Sequence, residues 1–235
     1  MAFKTVFLFT MIGMVFPSLS CSRKQPPQPI FHQATIDAAI QGDEVKLKAL
    51  LDKDQHRANA RGHDQEHNFM SALHAAARSD QASCIRYLAS KGANLYAYDN
   101  TGYTPLHLAV SRDNADAIRA LVKAGSDLEM RTWTHKTSLH IAALFGKPAT
   151  ISLLLDLGAD VNATTSDQEV EKATALHLAC FMGDKLDKVK ILLKYGADTK
   201  AEARLEPNAA PVTAEQSAKV GGSEELLELL RHHNK

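Results

Sequence analysis

The chain has 235 residues, and its 27 Lys and Arg balance 27 Asp and Glu, so the formal net charge is zero. This balance argues against nucleic acid as the main partner, because phosphate binding needs a surplus of basic side chains on one face. A hydrophobic fraction of 45% argues against an acidic disordered chain. Three cysteines cannot form a disulfide framework, and no Cys-x-x-Cys pair indicates a zinc or redox site.

The first twenty residues have the pattern of an export signal. Lys4 is their only charged residue, and it precedes a 12-residue apolar run, residues 5–16. The run is shorter than the roughly 20 residues that span a bilayer, and Pro17 follows it. We therefore expect residues 1–20 to be a signal peptide, whose removal leaves a net charge of −1 because Lys4 goes with it.

The residues around the expected cleavage point suggest a lipid anchor. The segment 18–21 (SLSC) resembles a bacterial lipobox, in which the cysteine, here Cys21, becomes the lipidated first residue. Ser18 departs from the leucine usual there, so ordinary cleavage before the same cysteine stays open. By the same resemblance, Ser22 implies sorting to the outer membrane. Residues 21–30 form a Pro-rich tether, which in polyproline II would extend by roughly 3.1 Å per residue.

The rest of the chain repeats with a period near 33 residues. Four Leu-His pairs have histidines 33, 33 and 37 residues apart, and a glycine follows each histidine by 18 or 19 residues. Such a period is typical of solenoids, in which each unit packs only against its neighbours. The histidines are His74, His107, His140 and His177, and the glycines are Gly92, Gly125, Gly158 and Gly196.

The best-formed repeat has signals for two helices. Thr104 can cap a helix that begins at Pro105, and Gly125 can end a second helix in a left-handed conformation. Residues 104–109 (TPLHLA) resemble the core of the ankyrin repeat, and variants of it begin at Ser71, Thr137 and Thr174. The resemblance implies an all-α solenoid of helix-turn-helix units with hairpin fingers between them.

The resemblance covers about residues 31–233 and divides them into units. The first and last units depart from the repeat, as end units do because their outer faces meet water. Extra residues predict lengthened fingers after Asp54, Gly158 and Gly196. Within an ankyrin-repeat domain of residues 31–235, we expect units at about 31–65, 66–98, 99–131, 132–168, 169–201 and 208–233.

The eleven histidines invite a metal or acid–base interpretation, which the repeat largely removes. The four repeat histidines are expected to hydrogen-bond the motif threonine and local backbone. His56, His63 and His67 share one long finger with Asp64 and Glu66, and imidazole and carboxylate groups there could bind a transition metal. A polar loop explains the same residues, so we predict no metal site and no cofactor.

Catalytic motifs are also missing from the sequence. It contains no Gly-rich phosphate loop, no nucleophile elbow and no recognisable pair of catalytic carboxylates. We therefore predict that the protein is not an enzyme.

The ankyrin resemblance implies a concave partner-binding face, built from finger tips and the exposed ends of the first helices. In the register of the repeat, this face changes from polar with arginines to apolar and aromatic, which is typical of a protein-binding hot spot. The alternative is that the long finger of residues 164–173 buries the apolar side chains within the monomer. The candidate partner-binding residues are Arg78, Tyr103, Arg112, Trp133, Lys136, Leu144, Phe145, Phe181 and Met182.

These features together predict an exported, monomeric module that holds a protein partner and reaches the membrane only through its lipid. One version is an immunity protein in the periplasm, anchored to the outer membrane, that neutralises a secreted toxin such as a lipase. Two alternatives stay open. One is a periplasmic stress-protection or metal-linked accessory factor, and the other is a host-directed ankyrin effector, against which the export signal argues.

Overall fold

The computed structural model describes residues 33–62, 70–166, 170–182, 186–205 and 210–233. Twelve α-helices lie in these ranges, in six consecutive pairs, so the described chain is all-α as the sequence predicts. A 3₁₀ helix, Gln55–Asn59, follows the first pair. The α-helices are α1 (Gln33–Gln41), α2 (Glu44–Lys53), α3 (Ala72–Arg78), α4 (Ala82–Ser90), α5 (Pro105–Ser111), α6 (Ala115–Lys123), α7 (Ser138–Phe145), α8 (Pro148–Asp156), α9 (Ala175–Met182), α10 (Leu186–Lys194), α11 (Ala214–Gly221) and α12 (Glu224–His233).

The helix pairs stack into a solenoid. The first helices of the pairs, α1, α3, α5, α7, α9 and α11, each contact the next one in chain order. One hydrophobic cluster of leucine, isoleucine, valine and small alanine side chains runs through all six pairs. Within the described ranges, no helix is both long and apolar enough to cross a bilayer. The core therefore depends on stacking, because a single helix pair cannot bury its own apolar face.

The connections between units form fingers that are closed at their bases. The N–H of Asp99 donates to the carbonyl of Tyr103 at 2.9 Å, and Thr132 donates to Lys136 in the same way at 2.9 Å. Two of the predicted long fingers pair with each other: the N–H of Arg204 donates to the carbonyl of Glu171 at 2.8 Å. The fingers thus contact one another as well as the helices below them.

The long connection after Asp54 is more than an extended finger. Asp54 accepts a hydrogen bond from the N–H of His56 and caps the 3₁₀ helix, so several of the extra residues are helical. An isolated bridge between Arg61 and Ser71 then closes the base of the finger. His63 and His67 fall outside the described residues.

Each repeat histidine joins the start of its first helix to the connection that leads towards the next unit. His107 Nδ1 lies 3.2 Å from the backbone nitrogen and 2.8 Å from Oγ1 of Thr104, and Nε2 lies 3.0 Å from the carbonyl oxygen of Met130. Because Nδ1 accepts from a backbone N–H, the neutral ring carries its proton on Nε2 and donates it to the carbonyl. The same Nε2 contact joins His74 to Tyr103 at 3.2 Å, His140 to Ala173 at 2.9 Å and His177 to Ala201 at 3.0 Å.

The predicted hydrogen bonds to the motif hydroxyl and to local backbone are both confirmed at Nδ1. The sequence did not predict the additional bond of Nε2, which reaches a segment 23 to 33 residues away. In the last unit, Gln216 replaces histidine and caps α11 by accepting from the N–H of Thr213 at 2.8 Å. Its hydrogen bond thus stays within the unit, between Gln216 and Thr213.

Burial keeps these imidazoles neutral. It lowers the pKa of His107 and of His140 to about 4, against about 6.5 for an exposed imidazole. Between these two values the unfolded chain binds a proton that the folded chain excludes. The free energy of unfolding is therefore highest above pH 6.5 and falls as the pH decreases towards 4, by on the order of 3 kcal/mol for one fully buried ring.

We predict that His107→Gln reduces this pH dependence, because glutamine can retain the capping bond to Thr104 but does not titrate. At neutral pH the variant should lose about 1 kcal/mol, the worth of one hydrogen bond to Met130. Urea unfolding at several pH values between 7 and 4 measures both effects. His232→Gln, at an exposed histidine of α12, is the control and should follow the parent. Equal slopes for His107→Gln and the parent would contradict the prediction.

Candidate protein-binding face

Trp133, the single tryptophan of the chain, lies at the tip of the finger that precedes α7. Its side chain is 60% exposed, although the finger around it is well ordered by hydrogen bonds. The N–H of His135 donates to the carbonyl of Thr132 at 2.9 Å, and the hydroxyl groups of Thr132 and Thr134 lie 3.0 Å apart. The predicted exposure of this indole is therefore present in the structure.

The preceding finger forms a seat for the indole. Gly102 has a φ of +78°, and a Cβ atom added there would lie 2.4 Å from Cγ of Trp133. The N–H of Trp133 donates to the carbonyl of Gly102 at 3.3 Å, and the ring of Tyr98 lies 6.2 Å from the indole, tilted by 45°. Glycine is needed here both for the backbone angle and for the space that the indole occupies. One part of Trp133 is thus held by the protein, and the rest faces solvent.

Phe145 is the second exposed aromatic residue of the predicted face. It is the last residue of α7 and is 43% exposed. The equivalent positions in the neighbouring units, at intervals set by the repeat, are Ser79, Arg112 and Met182, of which Arg112 is exposed and the other two are half-buried. We call Ser79, Arg112, Phe145 and Met182 the helix-end row.

Three of the candidate binding residues do not belong to an exposed surface. Leu144 is 5% exposed, Phe181 is 4% exposed and Lys136 is 3% exposed. Leu144 and Phe181 occupy the same position of successive first helices and pack in the core cluster. Lys136 lies at the base of its finger, and its ammonium group donates to the carbonyl of Thr134 at 3.2 Å. The apolar part of the predicted face is therefore narrower than the sequence indicates.

The remaining candidate residues retain some exposure. Tyr103 is half-buried, with its ring 6.0 Å from that of His107. Met182 and Arg78 are half-buried as well, and Arg112 is exposed. The exposed apolar groups of the face are thus Trp133 and Phe145, with Met182 beside them in the next unit.

The carboxylates nearest in sequence to the two arginines bind backbone instead of guanidinium groups. Asp80 accepts from the N–H of Ala117 at 2.8 Å, and Asp113 accepts from the N–H of Lys147 at 2.7 Å. Each aspartate therefore caps the second helix of the following unit, where the helix dipole favours a negative charge. Within the described residues, no carboxylate lies within 4.0 Å of the guanidinium of Arg78 or Arg112.

Lys188 is a buried cation that the sequence analysis missed. It is 1% exposed, and its ammonium group donates to the carbonyl of Ala143 at 2.8 Å, near the end of α7. Its position in the repeat could have predicted this burial, because Lys188 occupies the position that Cys84, Ala117 and Thr150 fill with small buried side chains in other units. A cation is favourable there because the carbonyl groups at a helix C-terminus carry partial negative charge.

The other polar candidates do not converge on a site. No group of three or more His, Cys, Asp or Glu is arranged to hold a metal ion within the described residues. His56 is exposed, and its proposed co-ligands His63 and His67 lie outside those residues. Cys84 and Cys180 are both buried as predicted, and burial raises the pKa of Cys180 to about 12.

The class of protein follows from this arrangement of stacked helix pairs, joined by fingers and carrying exposed side chains on one face. A family model described as ankyrin repeats in three copies matches residues 35–132, 98–165 and 129–203. The matches together cover well over half of the chain, so the protein belongs to the ankyrin-repeat family. Its repeats make it a protein–protein interaction module. A search of the curated proteins found no match.

We predict that Gly102→Ala displaces Trp133 from its seat. The new Cβ would clash with the indole and strain a left-handed backbone, a cost of about 1–3 kcal/mol. The tryptophan emission maximum should shift and acrylamide quenching should rise. Gly158→Ala is a matched control, because its φ is +97° but nothing lies within 4 Å of the added Cβ. It should lose stability without changing the emission, and equal spectral changes in both variants would contradict the role of Gly102.

Proposed function

We propose that this ankyrin-repeat protein is an exported, non-enzymatic binding module of the bacterial envelope. It is tethered to the outer membrane through Cys21, and it captures and neutralises a protein that acts in the periplasm. The immunity protein of a secreted toxin, such as a lipase, fits this description. The observation that carries the binding part is Trp133, which is 60% exposed yet held on Gly102 by the neighbouring finger.

An aromatic side chain that is fixed in position and still exposed to solvent is well placed to be a binding hot spot. Tryptophan contributes a large apolar surface on burial, and it dominates many interfaces when truncated to alanine. An indole that is already seated loses less conformational freedom when a partner covers it. Phe145, 43% exposed in the same unit, adds a second apolar contact at the other end of α7.

The export part of the proposal rests on the sequence. Residues 1–20 have the length and hydrophobicity of a signal peptide, and residues 18–21 resemble a lipobox. A tether raises the local concentration of the binding face at the membrane, so a partner that acts there is captured more efficiently than by free protein. This favours a periplasmic partner over a host-cell target.

We predict that Cys21→Ser abolishes lipid attachment. Cells that express the parent protein should label it with radioactive palmitate and retain it in the outer-membrane fraction. The variant should be unlabelled and should appear in the soluble periplasm. Cys84→Ala, at a cysteine that is buried in α4, should keep both the label and the location. Labelling that survives Cys21→Ser would exclude this anchor.

We predict that Trp133→Ala and Phe145→Ala each weaken binding to the cognate partner. The full chain should capture that partner from its own envelope, and calorimetry with the purified pair should then show roughly tenfold weaker binding for each variant. Val45→Ala is the control, because Val45 is 80% exposed on α2, in the first unit and outside the face. If both aromatic variants bind like the parent, the face is assigned wrongly.

A further inference from the structure

The helix-end row combines a cation with an apolar group at a regular distance. Arg112 and Phe145 occupy the same position in adjacent units, at the ends of α5 and α7. These two helices pack against each other, and helices in contact lie about 8–10 Å apart. A polyproline II segment is extended, advances about 3.1 Å per residue and repeats its side-chain direction every three residues, so the two side chains match groups about three residues apart in such a segment.

The carboxylates next to the helix-end row already accept hydrogen bonds within the fold. Asp113 follows Arg112 directly, but its side chain accepts from the N–H of Lys147 and from the hydroxyl group of Thr150. Asp80 follows Ser79 and is occupied in the same way by Ala117. Both carboxylates bind N–H groups near helix N-termini, where a negative charge is favourable, and Asp80 is also exposed to solvent. Arg112, which has no carboxylate partner among the described residues, is exposed to solvent.

Two further basic residues lie close to the row in the repeat register. Arg78 ends α3 in the unit before Arg112, and Lys147 follows Phe145 by two residues and is exposed. In the fourth unit Gly146 takes the place of Asp80 and Asp113, and the carboxylate at the backbone of Lys147 is that of Asp113 from the unit before. The overall charge of the chain is zero, so attraction of an acidic partner depends on the local arrangement of Arg78, Arg112 and Lys147.

We propose that the partner contacts this face with an acidic, extended protein segment, which places a carboxylate on Arg112 and an apolar side chain on Phe145. The segment pairs further acids with Arg78 and Lys147, and its apolar side chains also cover Trp133. Arginine suits this role because its guanidinium group binds a carboxylate through two parallel hydrogen bonds. The inference deepens the proposed function, on which it rests, by naming the chemistry of the partner.

A displayed library of random peptides tests the charge preference without assuming a partner. Selection on the purified protein should enrich peptides that contain Asp or Glu together with Phe, Leu or Trp. A synthetic peptide of the enriched sequence, made without tryptophan, should then shift the emission of Trp133, the only tryptophan of the protein. Its binding should weaken with rising salt, as exposed charge pairs do. Enrichment of neutral or basic peptides, or of no peptides, would overturn the proposal.

Reversing the charge of Arg112 tests whether this side chain contacts the acidic peptide. Arg112→Glu should weaken the acidic peptide by roughly tenfold or more, because one charge-assisted pair is lost and a repulsion is added. Arg112→Gln, which places no negative charge at the end of α5, should give a smaller loss in the same direction. Arg119→Glu is the matched control, since Arg119 is exposed on α6 of the same unit but outside the face. If Arg112→Glu and Arg119→Glu weaken peptide binding equally, the peptide is attracted by overall charge and not by Arg112, and the proposal is overturned.

Two further outcomes separate this inference from the proposed function. If the envelope partner binds through Trp133 but is insensitive to Arg112→Glu, the protein is a binding module and the acidic segment is wrong. Vesicles that contain phosphatidylglycerol test a membrane surface instead of a protein. Binding to them that is lost on Arg112→Glu would also overturn the acidic segment.

Discussion

The hydrogen bond from each repeat histidine to a carbonyl oxygen of the connection that follows its helix pair is the interaction on which this solenoid depends. The same ring accepts the N–H of the capping threonine or serine, so the start of a first helix and the next finger are held by one side chain. Because the ring is buried, it must be neutral and must have one particular tautomer. Local helix capping and the stacking of units are therefore coupled, and acid weakens both together.

This coupling explains why the fingers can present side chains without being anchored by a large sheet. The fingers after α4, α6, α8 and α10 each receive a histidine N–H from the first helix of the preceding pair. Neighbouring fingers also share backbone hydrogen bonds, such as that from Trp133 to Gly102. A finger held at its base and along its side keeps its tip in place. Trp133 can then be mostly exposed and still be positioned, which is the property that a binding anchor needs.

The charges on the predicted binding face depend on how the ends of the underlying helices are capped. Second helices in the third and fourth units begin with N–H groups that Asp80 and Asp113 satisfy from the unit before. Between the fourth and fifth units the arrangement is reversed: Gly146 replaces the aspartate, and the buried Lys188 donates to carbonyl groups at the end of α7. These carboxylates therefore act as helix caps, and Arg112 has no carboxylate partner among the described residues.

The period of the Leu-His pairs and the positions of the capping residues determined the architecture from the sequence, because these are local signals that recur in every unit. They also located Trp133 and Phe145, whose positions in the repeat are solvent-facing. The same register failed for Leu144, Phe181 and Lys136, since the depth of the groove between stacked helices depends on both neighbours. The tertiary structure alone decided the target of each histidine Nε2, the seat of Trp133 on Gly102 and the burial of Lys188. Each of these joins atoms that are far apart in the sequence, and the distance between such atoms is set by how helices and fingers pack and not by spacing along the chain.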